Sequence, residues 1–184
     1  MSVISFPPSK FSLSEARQIA KTLYGFEASV KALDSERDQN FYLKREDGKE
    51  FVLKISNPAE DVELIKLQIA CLKHIANFDS SIQVPTPVQA VGGAFISRHN
   101  GCFIRLQSFL AGHFIKDIEN PDSLLLEEFG TFLGKLDVAF REFNYPDLKR
   151  QWIWDVRNID FLKSHIDYIE SESDKAVVRH FIAN

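Results

Sequence analysis

Residues 48–64 read GKEFVLKISNPAEDVEL. Side chains alternate along a strand, so Val52, Lys54 and Ser56 share one face while Phe51, Leu53 and Ile55 share the other. The pattern predicts a strand over 49–56 whose apolar face forms the core against the helix that follows. Asn57 predicts the cap of that helix, with Pro58 at its first position and Glu60 and Asp61 suited to the dipole. Val62, Ile65, Ile69, Leu72 and Ile75 then recur at helical spacing. Lys54 is the anomaly in this apolar stretch. Taken alone, it reads better as a lysine on the solvated face of an antiparallel sheet than as a ligand.

Working upstream, residues 12–24 predict a helix with a Ser12–Glu15 capping box and a stop at Gly25. Between 28 and 56 the period changes to two. Strands are expected in SVKALDS, NFYLKRE and KEFVLKIS, the last two joined by a hairpin at Asp47-Gly48. Downstream, VPTPV (84–88) is an extended connector. VQAV, a Gly92-Gly93 turn, AFIS and CFIRLQSFL follow as a meander. After Gly112 only helical patterns remain. They comprise a long helix entered through Asn120-Pro121 with Leu125, Phe129, Phe132, Leu133, Leu136 and Phe140 inside, one over WDVRNIDFLKSHIDYI, and one over 172–183. The class is therefore α+β over residues 1–111, with a five-stranded antiparallel sheet, and helical over 112–184.

The chain has 184 residues, a net charge of −4 and 45% apolar residues, an ordinary globular composition. The acidic balance and the lack of a Lys/Arg run disfavour nucleic acid as a partner. No apolar run approaches the length of a membrane span, and the N-terminus lacks a signal-peptide pattern. A cytoplasmic protein is expected, with Cys71 and Cys102 as buried thiols.

Two further stretches offer chemistry. In LDSERDQNFYL (33–43), Ser35, Asp38, Gln39 and Asn40 are turn formers able to cradle phosphate oxygens. The stretch contains no glycine, so it is neither a Walker loop nor a glycine-rich kinase loop. In RLQSFLAGHF (105–114), a strand leaves the sheet at the change of class. Backbone groups around Ser108, Phe109 and Leu110 there can line a cleft or simply link two lobes.

In combination, a lysine on the third strand, a helix directly after it and a linker into helices resemble the N-lobe of a kinase. The chain is similar to the aminoglycoside phosphotransferase-like superfamily. Within it, the likeness is to hydroxylysine kinase and to kinase modules fused ahead of class III aminotransferases. DQNFYL (38–43), FVLKISNPAED (51–61), LIKLQ (64–68), RLQSFLAG (105–112), LGKLDVAF (133–140) and WIWDVRN (152–158) carry the resemblance. It implies that Lys54 holds the α- and β-phosphates of ATP or GTP, used with Mg²⁺ in the intact protein. It further implies that Ser35, Gln39 and Asn40 lie in the phosphate-covering loop, that Val52 roofs the base, and that Ser108, Phe109 and Leu110 form the hinge. A small-molecule hydroxyl is the implied acceptor.

Two departures matter. Gln68 stands where the family's helix carries a glutamate, and a glutamine cannot neutralise Lys54. Glu63 lies five residues earlier and points elsewhere around the helix. The family's His-Gly-Asp segment and its later metal-binding aspartate are also absent, so the groups that orient the acceptor and bind Mg²⁺ are missing. The expectation is an N-terminal fragment of a kinase, without activity or bound nucleotide on its own. Its helical part is expected to expose an apolar surface that favours self-association. The alternative is a non-catalytic binding or regulatory module, docking a partner such as a fused C-terminal enzyme domain.

Overall fold

The computed structural model describes residues 9–146 and 156–183. The first residues of the chain and most of the WIWDVRN segment lie outside them. Two compact units divide between Tyr145 and Pro146. The first unit holds helix α1 (Leu13–Tyr24), strands β1 (Ala28–Leu33), β2 (Gln39–Arg45) and β3 (Glu50–Ile55), and helix α2 (Val62–Phe78). It continues with β4 (Pro87–Val88), β5 (Ser97–His99), β6 (Cys102–Ser108), a 3₁₀ turn at Ile115–Asp117 and α3 (Ser123–Phe140). The second unit contains a 3₁₀ stretch, Val156–Tyr168, packed on α4 (Glu172–Ala183).

The sheet has six strands in the order β1-β2-β3-β6-β4, with β5 also on β6. All pairings are antiparallel. Leu106 pairs with Leu53 on one side and Val88 on the other, whereas Ile104 pairs with Ile55 and Ser97. β4 and β5 therefore share the outer edge of β6, which gives six strands where five were expected. The strands expected in VQAV and AFIS shrink accordingly. Ala90 donates to Ala94 at 2.8 Å, and Gly93, at φ +82°, turns the chain between them.

Helix α1 forms where the capping box predicts it. The Ser12 side chain accepts from the Glu15 N–H, the Glu15 side chain accepts from the Ser12 N–H, and Gly25 closes the helix at φ +74°. Its buried residues Ala16, Ile19 and Ala20 pack on Phe41, Leu43, Leu53, Ile55, Ile104 and Leu106. The apolar face of β3 is thus covered by the helix before the sheet, not by the one that follows. The register explains the choice, because Phe41, Leu53 and Leu106 align across three strands to make one continuous apolar surface.

The start of α2 also differs from expectation. Asn57 is fully buried and its Oδ1 accepts from the Ala59 N–H at 3.0 Å, while its carbonyl accepts from Glu60. These bonds close a local turn around Pro58. The helix begins later, capped by Asp61, whose carboxylate accepts from the Glu63 N–H at 2.9 Å. Ile65, Ile69 and Ile75 form its buried stripe.

The Asp47-Gly48 hairpin is present, with Gly48 alone of its loop at positive φ. Gly48 donates to Arg45 and Arg45 to Lys49, a three-residue loop rather than the two-residue form. Helix α3 is capped by Asp122 and tied to α2 by His74 Nε2, 2.7 Å from the Ala139 carbonyl. Only Ala139 of α3 is buried; Phe129, Phe132, Leu133 and Phe140, expected inside, are exposed. Ile75, Ile82 and Ala139 form a small second core, with Val84 and Leu136 packed at its margin. Cys102 is buried as expected, whereas Cys71 is only partly so, and both thiols are free.

Candidate functional site

The face of the sheet opposite α1 carries a polar row. Asn40 of β2, Lys54 of β3 and Arg105 of β6 stand directly opposite one another in the register. Directly opposite residues on one face place their Cβ atoms about 5 Å apart. Lys54 is half-buried, and its ammonium makes no hydrogen bond or ion pair among the described residues. Burial, then the neighbouring Arg105 guanidinium, pulls the lysine below its ordinary value, while Asp38 opposes the shift. Lys54 is therefore not a solvated surface lysine. It is a cation held in a partly dry site.

Arg105 is more deeply placed, only 8% exposed. Its Nη2 lies 3.8 Å from Asp38 Oδ2, and its Nε and Nη1 are buried with no hydrogen-bond partner among the described residues. Desolvation lowers its pKa, while Asp38 and then Glu60 act against this. Asn40 Oδ1 and Ser56 Oγ are likewise buried and unpartnered among the described residues. Such atoms are uncommon in folded proteins. Here Asn40 and Arg105 flank Lys54 in the register and Ser56 follows it on the same face. A further such atom, the Tyr24 hydroxyl, lies with the core on the α1 side. Sequence reading passed over Arg105 because its partner across the ladder is distant in the chain.

The other expected site residues divide. Ser35 belongs to the loop before β2, and its hydroxyl accepts from the Asn40 N–H at 3.2 Å. Gln39 is turned away from Lys54. Its Oε1 accepts from the Phe11 N–H and its Nε2 donates to the Phe11 carbonyl, each at 2.7 Å, on the α1 side of the sheet. Its amide clamps the chain ahead of α1 and is not available to the loop. Gln68 makes no bond to Lys54; it lines a cavity of about 30 Å³ with Arg105, Gln107 and Phe95. Glu63 is occupied by Lys66, at 2.6 Å.

Val52 shares the Lys54 face and aligns with Tyr42 and Gln107. The Phe109 ring meets Tyr42 edge-on at 5.0 Å, so Tyr42 bridges the Val52 surface and the strand exit. The Ser108 N–H already donates to Thr86, and the Phe109 N–H to Glu50. Only the Leu110 N–H of this trio has no partner among the described residues, on an exposed residue. No group of three or more His, Cys, Asp or Glu able to hold a metal occurs among the described residues. No helix among them is long and apolar enough to cross a membrane.

Hydroxylysine kinase of Danio rerio is 27% identical over 186 residues, covering 93% of this chain and 52% of that protein. The chain spans about half the length of the curated relatives it matches. Amicoumacin kinase, solved with AMP-PNP, Ca²⁺ and amicoumacin, superposes with a TM-score of 0.69 at 15% identity. That likeness covers 93% of this chain and 52% of that one, and shows a shared fold. Spectinomycin phosphotransferase, solved with ADP and spectinomycin, gives 0.56 at 12% identity, over 95% and 55% of the two chains. The pattern of the phosphotransferase enzyme family matches residues 29–175, from the first strand of the polar row's sheet into α4, and to that family the chain belongs.

Proposed function

We propose that this chain is the nucleotide-binding part of a small-molecule kinase. The intact protein transfers the γ-phosphate of ATP or GTP to a hydroxyl of an amino acid, amine or aminoglycoside-like acceptor. The observation that carries the reading is Lys54, a partly dry, unpaired ammonium on β3 set in a polar row. An anion is the natural complement of such a site, and a phosphate suits it best. In this reading Lys54 holds the α- and β-phosphates, with Ser35 and Asn40 at their edge. Val52 covers the base, and the Leu110 N–H donates to its rim.

Residues 1–111 form the N-lobe in this scheme and 112–184 part of a helical C-lobe. Phosphoryl transfer also requires a base for the acceptor proton and ligands for Mg²⁺. The described residues do not offer a metal site. In this reading the chain contributes the binding of the nucleotide. A second reading, a non-catalytic kinase-like module, draws on Gln68, which supplies no carboxylate to Lys54.

Calorimetric titration with MgADP, MgATP, MgGTP and adenosine tests the proposal. The phosphate-bearing ligands are expected to bind more tightly than adenosine, and Lys54→Met to erase the difference. Equal affinity for MgADP and adenosine in the unmodified chain overturns it. Phosphorylation of a hydroxylated amine by a longer form of the protein separates the kinase from the non-catalytic module.

A further inference from the structure

The loop before β2, the end of β3 and the middle of β6 converge on Asp38. Its Oδ1 accepts from the Asn57 N–H at 3.2 Å, and its Oδ2 faces Arg105 Nη2 at 3.8 Å. One carboxylate therefore straps the loop to the β3–α2 connection and to the cation opposite Lys54. An arginine serving only to fill a sheet would satisfy its whole fork. Arg105 directs Nη2 to Asp38 and leaves Nε and Nη1 unpartnered among the described residues. Among the described residues helix α2 gives Lys54 no acidic partner, since Gln68 lines the cavity beside Arg105 and Glu63 pairs with Lys66.

We propose that Arg105 and Asp38 are a positioning pair for Lys54, performing from β6 and the β1–β2 loop the task for which α2 lacks a carboxylate. The inference rests on the reading of Lys54 as the phosphate lysine. The ion pair fixes the loop beside the lysine. The guanidinium, facing Lys54 across the ladder, keeps the ammonium from settling over β6 and directs it toward the open side. Two like charges held together in a partly dry site repel until an anion arrives. Binding of a polyphosphate relieves that repulsion, so the pair favours phosphate over uncharged ligands. The charged groups acting here are Lys54, Arg105, Asp38 and, through Arg105, Glu60.

The test follows the Lys54 Cε signal by NMR as a function of pH in the full chain, with Lys54→Met for assignment. Arg105→Gln is expected to raise the Lys54 pKa and Asp38→Asn to lower it. Opposite shifts show that both charges act on Lys54, and the ligand affinities show whether they position it. Both variants are also expected to weaken MgADP about tenfold or more with adenosine binding unchanged, and Arg105→Lys to recover most of the loss. A Lys54 titration unmoved in both folded variants, or moved the same way in both, overturns the proposal. Asp38 is partly exposed, so Asp38→Asn decides the matter by itself where Arg105→Gln does not fold. Loss of MgADP affinity in Lys54→Met but in neither partner variant defeats the positioning pair alone. An unchanged affinity in Lys54→Met defeats the phosphate reading itself, and the positioning pair with it.

Discussion

Lys54 and Arg105 face each other across the β3–β6 ladder, two cations with Asp38 as the carboxylate acting on both. The arrangement opposes stability and favours an anion. The folded-state pKa of Lys54 lies below its ordinary 10.5, so the cost of the charge is fully present below the folded value. It disappears as pH rises past the unfolded value, above which both states are neutral. Lys54→Met should therefore raise stability at neutral pH by about 0.5–2 kcal/mol, a common gain when a functional compromise is removed. The gain should shrink toward pH 10.5. The same change should weaken MgADP by roughly tenfold to a hundredfold, the worth of a hydrogen bond to a charged group. Urea unfolding at several pH values and calorimetry check the two halves. A stability loss at neutral pH contradicts the first.

Gln39 makes the opposite prediction. Its amide holds both backbone groups of Phe11. Each such bond contributes about 0.5–1.5 kcal/mol net. Gln39→Ala should lower unfolding free energy by about 1–3 kcal/mol while leaving nucleotide affinity intact. A variant of full stability with weakened MgADP binding would return Gln39 to the phosphate loop.

Leu53 is fully buried at the centre of the sheet, against α1. Its neighbour Val52 is only partly buried on the face of Lys54. Leu53→Ala should cost about 2–5 kcal/mol through transfer and cavity terms together. Val52→Ala should cost less than half of that and instead weaken base binding. Parallel denaturation and adenosine titrations separate the two faces.

Four carboxylates are held below their ordinary values. The Ser12 N–H lowers Glu15, the Tyr42 hydroxyl Glu50, the Ser81 N–H Asp79, and Lys175 Glu172. Each contributes stability above its unfolded value, 4.5 for glutamate and 3.8 for aspartate. That contribution is lost as pH falls through the lowered folded values. Melting temperature should consequently drop between about pH 5 and about pH 2. The drop should be smaller in Glu15→Gln and Glu50→Gln. An unchanged slope in both variants rules out these hydrogen bonds as its source.

Helix α3 exposes Phe129 at 48% and Leu133 at 46%, one turn apart. A contiguous apolar face of this kind favours association. Sedimentation velocity should show a concentration-dependent shift in the unmodified chain, removed in the double variant Phe129→Glu, Leu133→Glu. Melting temperature should not fall, because neither side chain is part of a core cluster. An unaltered sedimentation profile would exclude this face.

The local order of the chain was legible in its residues. The Ser12–Glu15 box and Gly25 bound α1, the two-residue period marks β1 to β3, and the spacing of Ile65, Ile69 and Ile75 marks the inside of α2. These signals act over a few residues, where hydrogen bonding and side-chain alternation set the conformation. Tertiary structure decided the rest. The covering of Leu53 by α1 rather than α2, the capture of Gln39 by Phe11, and the tie of the Asn57 N–H to Asp38 all depend on distant partners. So does the site. Nothing local to FVLK or to RLQ indicates that Lys54 and Arg105 meet. Only the antiparallel register of β3 on β6 sets the two charges opposite each other and gives Lys54 its electrostatic character.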